Sequence, residues 1–194
     1  FALAFSLYIN HKFLKPIRLK KYLYTVTATR PEKGNVLEVH LKPDSGEIFP
    51  YRAGQFVFLR LYDPQYSPEE HPFSLISAPQ DRDKVALAIK DSGDYTHRFQ
   101  TLQPGVKASV EGPHGGMWHV QEGIHDKTVS MVMFAGGIGI TPMLGILENS
   151  AYLQFPNKTV LVWSLKDRNE YGFTEKLQAF KEKLPDFRLV PFFA

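Results

Sequence analysis

Residues 135–143 read AGGIGITPM, with Gly136, Gly137 and Gly139 crowded ahead of Thr141 and Pro142. Glycines this dense strip side chains from a turn, so a ligand can approach the backbone amides themselves. Where such a turn leads from a buried strand into a helix, the amides and the helix N-terminus favour a pyrophosphate. The chemistry suggested is nucleotide binding. The spacing departs from the GxGxxG pattern, because Pro142 stands where the third glycine would be. A tight turn that binds nothing is the alternative reading of these residues alone.

Two further groups could meet the same kind of ligand. WSLKDR offers Ser164, Lys166 and Arg168, with Asp167 among them. At the end of the second strand of a dinucleotide fold, an acid holds a ribose 2′-hydroxyl, whereas a base accommodates a 2′-phosphate. The basic excess leans towards NADPH; a solvated charged loop is the other reading. In IKDSGDYTHRF, a glycine turn at Gly93 leads into a predicted helix at 95–102, with Lys90 nearby. That is an anion site or, equally, a capped connector between strands.

Other chemistries find little support. No GxSxG, P-loop or HExxH pattern is present. His114, His119 and His125 cluster without a metal-ligand spacing, so no metal is expected. The absence of cysteine excludes disulfides, thiolate zinc sites and cysteine nucleophiles, and fits a reducing compartment. The 194 residues are 43% hydrophobic and 22% charged, ordinary for a globular protein, and the net charge of +3 argues weakly for a nucleic-acid surface.

Two grammars of secondary structure must position these groups. In 35–42, Leu37, Val39 and Leu41 face one way and Glu38 and His40 the other. In 84–90, Val85, Leu87 and Ile89 alternate likewise, and 22–30, 55–62 and 107–112 also read as short strands. Such period-2 strands separated by turns predict an antiparallel barrel or sandwich over about 20–120. From 129 the pattern changes. VSMVMFA is a nearly continuous apolar run, as expected of a parallel strand buried on both faces. Thr141 can cap a helix whose apolar side is Met143, Leu144 and Leu147, with Pro142 in its first position. TVLVWS (159–164) is a second strand, Thr174 can cap a helix carrying Leu177, Phe180 and Leu184, and FRLV (187–190) is a third strand. Strand–helix–strand–helix–strand predicts a parallel sheet with right-handed crossovers.

The N-terminal FALAFSLYIN is uncharged and too short to span a bilayer alone, and Lys12, Lys15, Arg18, Lys20 and Lys21 follow it. It reads as the last turns of a span leaving on the cytoplasmic side. An amphipathic segment packed on the domain is the alternative.

HPFSLISAP (71–79), IKDSGDYTHRF (89–99), EGPHGG (111–116) and AGGIGITPM occur in this order and at suitable spacing. Together they resemble the dehydrogenase half of the ferric reductase and NADPH oxidase family, within the ferredoxin–NADP reductase superfamily. The resemblance covers roughly residues 20–194. It implies an antiparallel flavin-binding β-barrel followed by a parallel-sheet α/β nucleotide-binding domain. The divisions expected are 1–21 as the end of an upstream membrane helix with its basic linker, 22–120 as the FAD-binding barrel, and 121–194 as the NAD(P)H-binding domain. His71, Pro72, Phe73 and Ser74 resemble the stretch along the flavin ring and ribityl chain, with Ser74 near the reactive N5. Ile89, Lys90, Gly93, Asp94, Tyr95 and Thr96 resemble the part that holds the FAD pyrophosphate. Gly136, Gly137, Ile138, Gly139, Thr141 and Pro142 resemble the nicotinamide nucleotide loop, where the family itself carries Thr-Pro. With the resemblance in hand, Ser164, Lys166 and Arg168 stay as the basic group at the second strand's end, expected to meet a 2′-phosphate.

The implied activity passes electrons from NADPH through FAD to a membrane haem domain of the same polypeptide, and on to oxygen or ferric iron. The expected location is a membrane, with this domain on the cytoplasmic side. A soluble NAD(P)H–flavin reductase and a non-catalytic flavin-binding domain are the alternatives. In the family the nucleotide domain continues to a Cys-Gly-Pro turn beside the nicotinamide and ends near an aromatic residue covering the flavin. This sequence has no cysteine and runs to VPFFA. The comparison therefore implies an incomplete nucleotide domain, with Phe192 and Phe193 in or just beyond the third strand.

Overall fold

The computed structural model describes residues 5–6, 23–117 and 129–193. The expectations for 1–21 therefore fall almost wholly outside the described residues, as do His119 and His125. The first lobe contains β1 (Leu23–Glu32), β2 (Val36–Pro43), β3 (Phe56–Leu61), β4 (His71–Ser74), β5 (Val85–Lys90), the short helix α1 (Asp94–Phe99) and β6 (Lys107–His114). Its six strands form one antiparallel sheet in the order β4-β3-β6-β1-β2-β5. The two end strands meet just past β4, through a bridge from Leu75 to Leu87, and Ile76 donates its N–H to the Ala86 carbonyl at 2.8 Å. The sheet thereby curls into the expected barrel.

The second lobe runs β7 (Met131–Gly136), a 3₁₀ turn (Gly137–Ile140), α2 (Thr141–Tyr152), β8 (Thr159–Leu165), α3 (Thr174–Lys183) and β9 (Phe187–Phe193). Its sheet is parallel, in the order β7-β8-β9. β9 extends through both Phe192 and Phe193. β4 was not evident from the sequence: it is four residues long and contains Pro72. A proline is tolerated there because β4 is an end strand, so one row of its amides is not needed for pairing.

Three local expectations need correction. β7 is not buried on both faces, since Val132 is 53% and Phe134 71% exposed. In register these two lie beside Val160 and Val162 of β8 and, one strand further, Arg188 and Val190 of β9. Among the described residues, helices cover only the opposite face: Leu144, Leu147, Leu177 and Phe180 share one core with Met131, Met133, Leu161 and Trp163. Thr141 does not cap α2. It is the first helical residue, and its hydroxyl donates to the Ile138 carbonyl at 3.1 Å, steadying the turn before the helix. Thr174 does not cap α3 either. The preceding Phe173 adopts a left-handed conformation, and its N–H is satisfied by the Glu32 carboxylate of β1 at 2.9 Å.

That last contact joins the lobes, and it has company. The face of β2 and β5 away from the barrel core carries Val36, Glu38 and His40 opposite Lys90, Ala88 and Ala86. Val36, Ala86 and Ala88 belong to the core of the second lobe. Glu38, only 2% exposed, lies 2.8 Å from His40 Nε2 and accepts from Lys176 of α3 at 3.2 Å. Burial pushes the Glu38 carboxyl up, but the His40 hydrogen bond and the Lys176 charge outweigh it and hold the group below 4.5. A carboxylate whose folded pKa is depressed stabilises the fold fully above its ordinary pKa, and that stabilisation is lost as pH falls through the folded value. Glu38→Gln should therefore cost on the order of 2 kcal/mol at pH 7. Chemical denaturation of both proteins from pH 7 down to about 3 should show the difference shrinking below about pH 4.5.

Candidate functional site

The strand β4 pairs with β3 from His71–Leu59 to Ser74–Phe56. As an end strand it leaves a row of main-chain donors and acceptors beside Pro72 and Ser74. Rings tie it to α1. The His71 ring stacks on Tyr95 at 3.5 Å between centroids, Tyr95 meets Phe99 at 5.1 Å, and Phe73 meets Phe99 at 5.9 Å. The Tyr95 hydroxyl donates to the Glu69 carbonyl at 3.1 Å, and burial pushes its pKa up to about 12. It stays protonated near neutral pH. Two segments about twenty residues apart are thus brought together at one end of the barrel.

The turn before α1 is built by Thr96. Its hydroxyl accepts from the Ser92 N–H at 2.8 Å and donates to the Gly93 carbonyl at 3.2 Å. Gly93 has φ +149°, and among the described residues nothing beyond its chain neighbours lies within 4 Å of where a Cβ would stand. Asp94 is exposed, while Ile89 is fully buried in the barrel core and offers a ligand only its backbone. Lys90 leaves β5 on the other face. Its Nζ donates to Glu170 Oε1 at 2.7 Å, across the seam between the lobes. That hydrogen bond, with the Lys166 N–H as second donor, holds the Glu170 carboxyl below its ordinary value.

The loop after β7 has the room a phosphate needs. Among the described residues, no atom beyond the chain neighbours lies within 4 Å of the missing Cβ at Gly136, Gly137 or Gly139. Packing therefore does not demand these glycines, although Gly137 sits at φ +47°. Pro142 is the second residue of α2 and not the first, because the helix already begins at Thr141. A residue that sequence reasoning overlooked holds the loop: the buried indole of Trp163 donates from Nε1 to the Gly137 carbonyl at 2.9 Å. The signal was available, since a tryptophan in a buried strand needs an acceptor for its N–H.

Ser164 lies beside Gly136 in the β7–β8 register, and Ser164, Lys166 and Arg168 are all exposed at that end of the sheet. The Arg168 guanidinium sits 5.0 Å over the Phe193 ring, and Asp167 closes the turn by accepting from the Asn169 N–H at 2.6 Å. Lys90, Gly137, Ile138, Trp163 and Glu170 line one narrow crevice, so the nucleotide loop and the barrel meet there. His114 packs against Phe56 and Phe58 at 5.6 and 5.3 Å between centroids.

Comparison with known proteins fits this layout. Residues 19–134 match the FAD-binding domain family, and residues 133–194 match the oxidoreductase NAD-binding domain. The chain is 30% identical to a superoxide-generating NADPH oxidase heavy chain from Dictyostelium discoideum, over 86% of its own length and 35% of that protein. It is 28% identical to ferric reduction oxidase 7, chloroplastic, of Arabidopsis thaliana, over 84% of its length and 24% of the relative's. It thus spans about a third or less of these relatives. Among solved structures, a ferredoxin NADP+ reductase from Neisseria gonorrhoeae with bound FAD and NADP superposes with a TM-score of 0.69 at 24% identity, covering 87% of this chain and 66% of the other. The fold is that of the ferredoxin reductases.

The Trp163 contact gives a measurable expectation. Trp163→Phe keeps an aromatic ring but leaves the Gly137 carbonyl without its donor, at a cost of about 1 kcal/mol. NADP+ affinity in the full-length protein, read by isothermal titration calorimetry, should fall about 5-fold. An unchanged Kd would mean that the loop holds its shape without the indole.

Proposed function

The chain belongs to the FAD-binding domain family, and from that premise we propose that it is the electron-entry module of a membrane flavoprotein oxidoreductase. In this reading electrons pass from NADPH through FAD to a membrane haem domain of the same polypeptide, and on to oxygen or ferric iron. The oxidase and ferric reduction oxidase relatives support the direction of flow and the choice of acceptors. The module would lie on the cytoplasmic side, where a basic flank such as that of residues 12–21 is expected next to a membrane span. The observation that carries the reading is that Lys90 of the barrel and Gly137 and Ile138 of the glycine loop line one crevice between the lobes.

When bound, FAD accepts a hydride from the reduced nicotinamide and releases electrons one at a time. The chain's own task is to bind and to orient. The free edge of His71–Ser74 can pair with the alternating donors and acceptors along a flavin ring. The Ser74 hydroxyl can donate a hydrogen bond to a ring nitrogen. The open turn at Gly93 and the cation of Lys90 fit a pyrophosphate, and the cleared loop at Gly136–Gly139 fits a second. Lys90 is shared in this arrangement, since Glu170 already holds it. Ser164, Lys166 and Arg168 would meet the adenosine ribose, where Arg168 is pre-set by Phe193.

Two experiments test the assignment. If the Gly93 turn holds the FAD pyrophosphate, Gly93→Glu should weaken FAD far more than FMN, which lacks that group. The loss expected from charge and bulk against the phosphates is on the order of several kcal/mol. Flavin fluorescence titration separates the two, because backbone strain at Gly93 would weaken both flavins alike. For the nucleotide, Arg168→Glu should lower kcat/KM for NADPH relative to NADH by about 5-fold or more, the scale of an exposed charge contact. An unchanged ratio in steady-state assays of the full-length protein would return Arg168 to a solvated turn.

A further inference from the structure

Between the two cofactor sites the lobes touch backbone to backbone, at Gly145 of α2. This glycine is buried, and a Cβ built on it would collide with the carbonyl oxygen of Leu75 and stand 3.6 Å from the Gly54 nitrogen. On the barrel side, Gly54 returns the arrangement: its own missing Cβ would lie 3.2 Å from Ile146 Cδ1. The middle of α2 therefore rests on barrel backbone with no side chain of its own between.

What lies on either side of that contact gives it meaning. Leu75 directly follows Ser74, and Gly145 comes one helical turn after Thr141. The Leu75 side cannot yield. Its N–H donates to the Gln55 carbonyl at 2.9 Å, it bridges to Leu87, and Ile76 is tied to Ala86. These bonds close the barrel. A displacement of α2 would reach the nucleotide loop, because the 3₁₀ turn Gly137–Ile140 runs directly into the helix. The approach of this helix to one carbonyl is the inter-lobe contact that lies between the flavin strand and the nucleotide loop.

We propose that Gly145 is a positioning residue for hydride transfer: the missing side chain fixes the depth at which the nucleotide loop sits against the flavin strand. This rests on the functional reading above. Any larger residue would lift α2 from Leu75 and carry the loop with it. A lift of roughly 1 Å is the scale of misplacement that costs about 100-fold in rate.

The test compares Gly145→Ala with the unaltered full-length protein loaded with FAD. Four quantities are read: bound FAD per chain, the Kd for NADP+, the long-wavelength charge-transfer absorbance of nicotinamide stacked on flavin, and the stopped-flow rate of flavin bleaching by NADPH. The expected result is stoichiometric FAD and a Kd within about 3-fold, with weakened charge-transfer absorbance and bleaching about 100-fold slower. Tyr152→Ala, at the exposed end of the same helix, should leave all four unchanged. Bleaching at the parent rate in Gly145→Ala would overturn the proposal. So would loss of FAD or of the fold in that variant, which would make Gly145 a packing residue only. Failure of the parent protein itself to bleach with NADPH would instead refute the functional reading on which this rests.

Discussion

Val85, Leu87 and Ile89 of β5 fill the barrel, while Ala86 and Ala88, from the same six residues, line the core of the α/β lobe. Both faces of this strand are buried from Val85 to Ile89, and the relation between the lobes depends on that. A strand rising roughly 3.3 Å per residue sends alternate side chains to opposite faces. Large residues on one side fill a closed barrel. Small ones on the other let a second lobe come close. Val36, Glu38 and His40 of β2 continue the outer face, so the lobe docks on two paired strands. The segments proposed to hold the cofactors flank this platform: β4 meets β5 where the barrel closes, and Lys90 ends β5 at the crevice shared with the glycine loop after β7.

The platform is apolar at its centre and charged towards the second lobe's helical segment. Glu32 accepts the Phe173 N–H, Arg30 pairs with Glu175 at 3.1 Å, Glu38 with Lys176 and Lys90 with Glu170. All four partners fall within seven residues of the second lobe, from the 3₁₀ turn at Arg168–Glu170 into the first turn of α3. The backbone also comes close there: a Cβ on Gly172 would lie 3.1 Å from the Lys33 carbonyl oxygen. Exposed pairs such as Arg30–Glu175 contribute little energy. Glu38 differs, because a buried carboxylate must keep its partners. Orientation is specified by the groups that cannot return to water, and the rim charges follow.

Much of this was legible in the residues. The alternation of Leu37, Val39 and Leu41, and of Val85, Leu87 and Ile89, correctly marked a barrel face. The shift to Met131–Gly136 marked the parallel sheet, and the glycine run after it marked the turn into α2. What escaped was long-range. Glu38 and His40 read only as the face opposite the apolar one, because alternation tells which residues share a side but not what covers it. Thr141 and Thr174 read as caps, because the pattern is local. The Phe173 N–H instead finds Glu32, 141 positions away. The Trp163–Gly137 bond and the approach of Gly145 to Leu75 exist only once the lobes and strands are packed.

The two-sided strand has a consequence for how the chain finds its structure. In most antiparallel sheets, slipping a strand by one residue exposes its apolar set to solvent, and the error is penalised by water. For β5 a slip would drive valine, leucine and isoleucine into a seam shaped for alanine, and alanine into a barrel shaped for larger groups. One lobe would be overfilled and the other left with voids, and both errors destabilise. The second lobe therefore proofreads the strand pairing of the first. A mispaired barrel would have no surface on which its neighbour could dock.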